Sequence, residues 1–164
     1  MSVGLALTEL LDYSDYERGK WKGWVQADPA RLNLAFQAGA RFPTVWSVLE
    51  HVFLVERRHL ARLEGGTPPE STGVAPGDWA ALFEYADLVR ADLRQYVAGL
   101  DDAEAAGSFT FSIPSGPVTM SRRKLASHIV LHELRHWAQV AYAARVTGID
   151  PPGEHDLFFF PGIA

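Results

Sequence analysis

The segment HIVLHELRHWAQ, residues 128–139, contains three of the six histidines of the chain at intervals of four residues. It lies in a longer stretch, about 121–147, that lacks Gly and Pro, opens with a Ser able to cap a helix and is followed by Gly148. These features predict one long helix whose histidines share a face, because residues four apart lie about 6 Å apart along the axis. Four apolar residues on the same arc predict that this face is turned to the core: Leu125, Ile129, Ala143 and Val146.

Two imidazoles one helical turn apart can hold a single metal ion, which makes the segment a candidate metal site. By the same helical rise, His128 and His136 are about 12 Å apart, which is too far for them to share one ion. Only one neighbouring pair can therefore bind, either His128 with His132 or His132 with His136. A histidine in an apolar face is more often a hydrogen-bonded core residue, so the spacing alone leaves a structural role open as well.

The composition of the 164 residues, 48% apolar and 21% charged, predicts a single globular domain spanning residues 1–164. A net charge of −5 argues against a protein that binds the phosphates of nucleic acid. The chain has no cysteine, which excludes disulfides, a cysteine nucleophile and a thiolate metal site. Any metal would be held by His, Asp, Glu or water.

The hydropathy of the chain predicts a cytoplasmic protein with no membrane partner. Residues 1–11 are apolar but short, lack a basic segment and are followed by acidic residues, which is not the pattern of a signal peptide. No apolar run approaches the ~18 residues that a membrane-spanning helix needs.

Apolar residues at helical spacing predict three helices before the histidine helix, at about 5–26, 43–65 and 78–100. Residues 30–42 are expected to form a connector with a short turn, and residues 65–77 a loop. Residues 107–120 alternate in polarity around a Pro-Ser-Gly turn, which predicts a small hairpin before the last helix.

Some polar residues fall within the apolar stripes of these helices. In the second helix Glu56 lies at the centre of the stripe, His59 beside it and His51 at its edge, so periodicity favours Glu56 or His59 as the inward polar group. Arg90 lies in the middle of the third stripe and is expected either to pair with Glu56 or to extend its charge to solvent. The aromatic run at 157–160 is expected to pack on the helices or on a second subunit.

The order of these motifs resembles that of the DinB/YfiT-like metalloproteins over nearly the whole chain. His51 is followed by Glu56 and then by the segment LARLEG at 60–65, with His59 where an aromatic residue is usual. The last helix of the family typically reads His-x-x-x-His-Arg-Gly-Gln, and residues 132–139 here read HELRHWAQ, with Trp-Ala in place of Arg-Gly.

The resemblance implies an all-α fold: a four-helix bundle, up-down-down-up, with a small hairpin-like excursion before the last helix. It also implies a metal site made of His51, His132 and His136, with Zn²⁺ or Ni²⁺ as the expected metal. Glu56 and Gln139 are the candidates for orienting these ligands. Family members often form homodimers, so a homodimer is expected here.

Some relatives are thiol S-transferases or thiol-dependent isomerases that use low-molecular-weight thiols. The resemblance therefore implies a metal-dependent enzyme that activates a small thiol at the three-histidine site. Two alternatives remain open. One is a metal-water hydrolase at the same site, for which Glu56 or Glu133 would have to be the base, and the other is a non-catalytic, stress-associated binding dimer.

Overall fold

The computed structural model describes residues 4–36 and 41–163, and these form a mostly helical fold with one small antiparallel hairpin, as the sequence predicts. The α-helices are α1 Leu7–Ala27, α2 Val45–Leu63, α3 Trp79–Ala98, α4 Asp102–Ala106 and α5 Arg122–Val146. The strands are β1 Ser108–Ile113 and β2 Gly116–Ser121, and 3₁₀ turns span Pro29–Asn33 and Leu157–Phe159. None of the described helices has both the length and the apolar character that crossing a membrane requires.

Side-chain caps determine where the long helices begin. Asp78 Oδ1 accepts the backbone N–H of Ala81 at 3.1 Å, and Ser121 Oγ accepts that of Lys124 at 3.2 Å. Ser121 is the cap that the sequence predicts for the last helix, and Asp78 lies where the third helix is predicted to begin. Thr44 caps α2, so this helix begins one or two residues later than predicted, because a capping residue itself lies outside the helix.

The predicted connector between α1 and α2 is described only in part. Its first residues form a 3₁₀ turn that is capped by the side chain of Asp28. Ala35 then forms an isolated antiparallel bridge with Thr44. Residues 37–40 of the connector, like residues 1–3 of the N-terminal segment, lie outside the described part of the chain.

The hairpin before α5 leans on the helices. Phe109 pairs with Met120 and Phe111 with Val118, and the side chains of Phe109, Phe111 and Met120 pack against the helical core. A two-stranded hairpin is only marginally stable alone, so these contacts hold it in place. The turn uses Gly116 at φ 122°, a backbone conformation that residues with a Cβ rarely adopt.

Two hydrophobic clusters fill the space between the long helices. The first is built around Trp21, Phe53, Phe83 and Trp137, and the second around Leu11, Leu60, Leu93 and Leu125. The helices α1 and α2 each pack against both α3 and α5. On α5 the predicted core face is correct for Ile129 and Ala143, which are buried, but wrong for Val146, which is 67% exposed near the end of the helix.

Four buried charged side chains, one from each long helix, form what we call the buried ion cluster: Arg18 of α1, Glu56 of α2, Arg90 of α3 and Glu133 of α5. None is more than 4% exposed. Arg18 donates to Glu56 at 2.5 Å and to Glu133 at 2.8 Å. Arg90 donates to Glu56 at 2.7 Å and also bonds to Glu133. The predicted pairing of Arg90 with Glu56 is therefore confirmed.

The remaining polar atoms of this cluster are bonded to their surroundings. Ser14 Oγ donates to Glu133 Oε2 at 2.8 Å, and Trp137 Nε1 donates to Glu133 Oε1 at 3.2 Å. Arg18 Nη1 donates to the carbonyl of Ala86 at 2.9 Å. Two cations and two anions balance in charge, and such pairing is what allows ionised groups to remain in a core.

Replacing Arg90 by Met should lower the free energy of unfolding by about 3–5 kcal/mol, because Glu56 and Glu133 would then share one buried guanidinium. The matched control is Arg94→Met, one turn further along α3. Arg94 is 37% exposed and pairs with Asp12 and Asp15, so this change should cost less than about 1 kcal/mol. Urea unfolding measures both, and equal losses would contradict the role given to the cluster.

Candidate metal centre

Three histidines from two helices converge on one point. His51 of α2 and His132 and His136 of α5 each offer one ring nitrogen, and these nitrogens all lie within 4.8 Å of one another. His132 and His136 are buried, and His51 is half-buried. The structure thus brings together the three histidines that the resemblance names.

The structure also distinguishes the two histidine pairs on α5, His128 with His132 and His132 with His136, between which the spacing did not decide. The Nε2 atoms of His132 and His136 lie 3.2 Å apart, and the ring of His51 is 5.2 Å from both of their rings. His128, in contrast, is exposed, and its ring lies 5.6 Å from that of His132 and 5.3 Å from that of His59. His59 and His128 therefore form a separate pair beside the three-histidine cluster.

The position of His51 at the edge of the α2 stripe explains why periodicity did not favour it. The centre of the stripe points into the core, where Glu56 is bound by arginines. His51 instead faces a cavity, on the same side of α2 as Val55 and His59. Phe42 packs on its ring at a centroid distance of 4.5 Å. The core and the cavity thus lie on different sides of α2, and the apolar stripe indicates only the side that faces the core.

Gln139 fixes the tautomer of His136. His136 Nδ1 donates a hydrogen bond of 2.6 Å to Gln139 Oε1, which can only accept. In a neutral ring the lone pair is then on Nε2, the atom that faces His132. Gln139, one of the two predicted orienting residues, therefore touches the cluster. The carboxylate of Glu56, the other one, bonds to Arg18 and Arg90 and to no histidine.

The electrostatics of the site keep these imidazoles neutral. Burial lowers the pKa of His132 to about 3, with further lowering from His136 and His51. Burial also lowers the pKa of His51 to about 4, and the charges of His136 and Arg41 act in the same direction. The pKa of His136 is lowered as well, mainly by burial. Neutral imidazole is the form that binds metal ions.

The observed spacing fits a bound metal ion. Two nitrogens that are each 2.0–2.1 Å from a tetrahedral Zn²⁺ lie about 3.3 Å apart, and the Nε2 atoms of His132 and His136 are 3.2 Å apart. With all three nitrogens within 4.8 Å of one another, the nitrogen of His51 needs to approach the other two by at most about 1.5 Å to reach the same separation. Among the described residues no further ligand joins the three histidines, and three histidines alone match the donor set of catalytic rather than closed structural zinc sites.

The three histidines line a cavity of about 1220 Å³. Its walls include the aromatic rings of Phe36, Phe42 and Phe111 and apolar residues of the hairpin. Five basic side chains also line it: Arg41, Arg58, Arg62, Lys124 and Arg135. No Asp or Glu is among the described residues of this lining.

These basic residues were not predicted, although the sequence contains a signal for them. His51, Val55, Arg58 and Arg62 follow one another at intervals of three or four residues, which places them on one face of α2. On α5, Lys124, His128, His132, Arg135 and Gln139 do the same. A search for polar stripes beside the apolar ones would have found both.

Trp137 and Ala138, which stand where the family usually has Arg-Gly, lie in different surroundings. Trp137 is buried, stacks on Trp21 at 5.4 Å and donates to Glu133. It therefore belongs to the core, whereas Ala138 lines the cavity. Glu133, the acid next to His132 in sequence, is held ionised in the core. Burial alone would raise its pKa, but the charges of Arg18 and Arg90 outweigh burial and lower it well below the ordinary value.

The C-terminal aromatic run lies partly against α1 and partly at the surface. Phe160 packs against Tyr13 and Tyr16 of α1 at 5.6 and 5.3 Å. Phe158 and Phe159 are 85% and 52% exposed. The expected packing on the helices is thus found for Phe160.

A comparison with curated proteins finds no match to this chain. The family model of the DinB superfamily matches residues 7–140, a range that runs from the start of α1 into the last part of α5 and includes all three converging histidines. The chain belongs to the DinB superfamily.

Proposed function

We propose that His51, His132 and His136 hold one divalent transition metal ion, Zn²⁺ or Ni²⁺, and that the site activates a small thiol for transfer to an electrophile or for a thiol-dependent isomerisation. The observation that carries the metal assignment is the convergence of three neutral imidazoles within 4.8 Å of one another at the wall of a cavity. Imidazole nitrogen suits both metals. Membership of the DinB superfamily supports the metal-binding part of the proposal.

In this proposal the residues of the chain position and insulate the reacting groups. A bound ion would supply a Lewis acid that lowers the pKa of a coordinated thiol. Gln139 keeps His136 in the tautomer whose Nε2 faces His132. Phe42 packs on the ring of His51 and restrains its position. The chain has no cysteine, so the thiol would arrive as a cosubstrate.

The hydrolase alternative needs a general base near the metal. Glu56 and Glu133 are both bound in the buried ion cluster, and the described cavity lining contains no acidic residue. This shortage of bases favours the thiol-dependent reaction. For the non-catalytic alternative, and for the homodimer in either case, the support consists of exposed apolar side chains such as Leu131 and Tyr142, which are 55% and 66% exposed.

We also propose that the long helices run up-down-down-up. The pairs Ser14–Glu133 and Trp21–Trp137 support a parallel course of α1 and α5, and the pairs Phe53–Phe83 and Leu63–Tyr96 support a parallel course of α2 and α3. The pairs His51–His136 and His59–His128 support an antiparallel course of α2 and α5. The pairs Asp12–Arg94 and Arg18–Ala86 support an antiparallel course of α1 and α3.

The protein should bind one Zn²⁺ per chain, and His51→Ala or His132→Ala should weaken binding by more than about 100-fold, because each removes a direct ligand. Gln139→Ala should weaken it about 10- to 100-fold through loss of the tautomer-fixing bond. Competition with a chromophoric chelator measures all three. His128→Ala is the matched control, one turn away on α5, and should leave zinc affinity unchanged. Equal losses for His128→Ala and His132→Ala would contradict the assignment.

Zinc affinity should stay nearly constant from pH 7 to pH 5, because the pKa values of His51 and His132 are lowered to about 4 and 3. A histidine with a pKa of 6.5 would lose about 25-fold in affinity over that range. The same shifts act on the metal-free fold. The unfolded chain takes up protons below pH 6.5 while the folded histidines do not, so the free energy of unfolding should fall as the pH drops from 6.5 to 4.

Chelator competition at several pH values and urea unfolding of the metal-free protein test these expectations. Arg135→Gln provides an internal check, since the charge of Arg135 contributes to the lowered pKa of His51, His132 and His136. This variant should move the loss of zinc affinity to higher pH. A midpoint near pH 6.5 in the unchanged protein would show that the histidines are not shielded as described.

Zinc-loaded protein should accelerate the transfer of small thiols to a general electrophile such as a chlorodinitrobenzene, and His132→Ala should abolish the acceleration. The transferred sulfur forms a carbon–sulfur bond as chloride leaves, and the thiol proton goes to the buffer. Absorbance of the thioether product follows the reaction. Turnover of an ester in the absence of any thiol would favour hydrolysis instead. No turnover of either kind, with zinc bound, would favour the binding dimer.

A further inference from the structure

The cavity carries a charge opposite to that of the protein as a whole. The chain has a net charge of −5 and 15 Lys and Arg residues. Five of these basic residues line this one cavity, and no acid is found in its described lining. A concave surface lined by one sign of charge concentrates ions of the opposite sign. The cavity is thus electrostatically suited to an anion.

These five basic side chains are also without carboxylate partners. Within residues 4–36 and 41–163, no Asp or Glu oxygen forms a salt bridge with any of the five, which are Arg41, Arg58, Arg62, Lys124 and Arg135. The basic residues on α1 and the cations of α3, in contrast, are paired with acids, as Arg18, Lys22, Arg90 and Arg94 show. The positive charge of the cavity is therefore not neutralised locally.

Arg62 is held in place and still lacks one hydrogen-bond acceptor. Its guanidinium lies over the ring of Phe111 at 5.3 Å, and its Nη1 donates to His59 Nδ1 at 3.2 Å. Its Nε–H is buried and has no acceptor within the described part of the chain. A buried donor without a partner is costly, so the hydrogen-bonding capacity of this guanidinium is not used up by the protein itself.

His59 adds a second donor beside Arg62. Because a guanidinium can only donate, His59 Nδ1 must accept, which puts the ring proton on Nε2. Arg58 uses two of its nitrogens on the carbonyls of Pro69 and Glu70, at 2.8 and 2.6 Å. It therefore contributes mainly its charge, while Arg62 and His59 supply the free hydrogen-bond donors.

The part of the cavity formed by Arg62 and His59 lies next to the three-histidine cluster. The ring of His128 is 5.3 Å from that of His59 and 5.6 Å from that of His132. Only the ring of His128 thus separates His59 from His132 of the cluster, and a short organic molecule can span that distance. The apolar side chains of Phe111 and Met120 line the same cavity.

We propose that Arg62 and His59, supported by the charges of Arg58, Lys124 and Arg135, bind the carboxylate of a small organic anion whose other end reaches His51, His132 and His136. This assignment of the ligand class rests on the proposed metal function, because that function defines the end at which the ligand reacts. The carboxylate belongs either to the thiol or to its electrophilic partner, and the two share the same subsite chemistry.

Calorimetric titration with three probes tests the proposal: mercaptosuccinate, which has a thiol and two carboxylates, succinate, which has no thiol, and mercaptoethanol, which has no carboxylate. The zinc-loaded protein should bind mercaptosuccinate at least about ten-fold more tightly than mercaptoethanol, a difference of about 1.4 kcal/mol. Binding of mercaptosuccinate and binding of succinate should both weaken as salt is added. Equal affinity for mercaptosuccinate and mercaptoethanol would overturn the proposal.

Variants locate the subsite. Arg62→Gln should weaken mercaptosuccinate about ten-fold and leave mercaptoethanol unchanged. Arg145→Gln, which removes an exposed charge of α5 outside the cavity lining, should change neither. If Arg62→Gln does not fold, Lys124→Gln replaces it, with the adjacent exposed Arg123→Gln as its control. Equal effects of a cavity variant and its control would show general charge attraction and overturn the subsite.

The probes separate this proposal from the metal function. Succinate that binds to metal-free protein and is lost in Arg62→Gln supports the anion subsite even if zinc fails to bind. Zinc binding and thiol turnover with no preference for carboxylates would refute the subsite alone. Two reactions then show which reactant binds at Arg62 and His59. In one, a neutral thiol reacts with an electrophile that carries a carboxylate; in the other, mercaptosuccinate reacts with a neutral electrophile. The reaction whose rate falls in Arg62→Gln identifies the reactant.

Discussion

The buried ion cluster is the constraint on which the arrangement of the helices depends. Ionised side chains remain in a core only when each charge meets its counter-charge, and here that requires Arg18, Glu56, Arg90 and Glu133 from four different helices. A slide of one helix by a single turn, about 5 Å, would separate a guanidinium from its carboxylate. Hydrophobic attraction is not directional, so contacts between apolar side chains tolerate such slides better. The cluster therefore sets the axial register that the two hydrophobic clusters alone would leave loose.

The register reaches the histidines through α5. Glu133 directly follows His132, and Trp137 directly follows His136, so neighbouring residues point about 100° apart around the helix. Glu133 is bound by both arginines of the cluster, and Trp137 donates to Glu133 and stacks on Trp21. With those two side chains anchored in the core, the rotation of α5 is fixed, and His132 and His136 are turned toward α2. The Trp in place of the usual family residue thus takes part in positioning the candidate site from the opposite side of the helix.

How far the sequence predicts the structure depends on whether a feature is local. The caps Asp78 and Ser121 and the hairpin follow from neighbouring residues, and they were found at or near the predicted positions. The pairing of Arg90 with Glu56 was one of two options, because a buried charge needs a partner. The contacts of Arg18 and Glu133 depend on how helices that are distant in sequence pack together, which the periodicity of a single helix does not indicate. His51 was named only by resemblance, since an apolar stripe shows which side of a helix meets the core and not which edge meets a cavity.

The charge of the cavity constrains what the three-histidine cluster can do. Three neutral imidazoles bring no negative charge to a divalent ion, and the basic lining adds repulsion that no described acid offsets. A carboxylate ligand would have relieved that repulsion, but it would also have weakened the pull of the metal on a bound thiol. With histidines alone, the uncompensated charge favours ligands that arrive as anions, and the thiolate sulfur and the carboxylate at Arg62 that we propose would both meet that need. Because the described lining contains no acid, the proposed chemistry of the centre and the charge of its walls call for the same class of ligand.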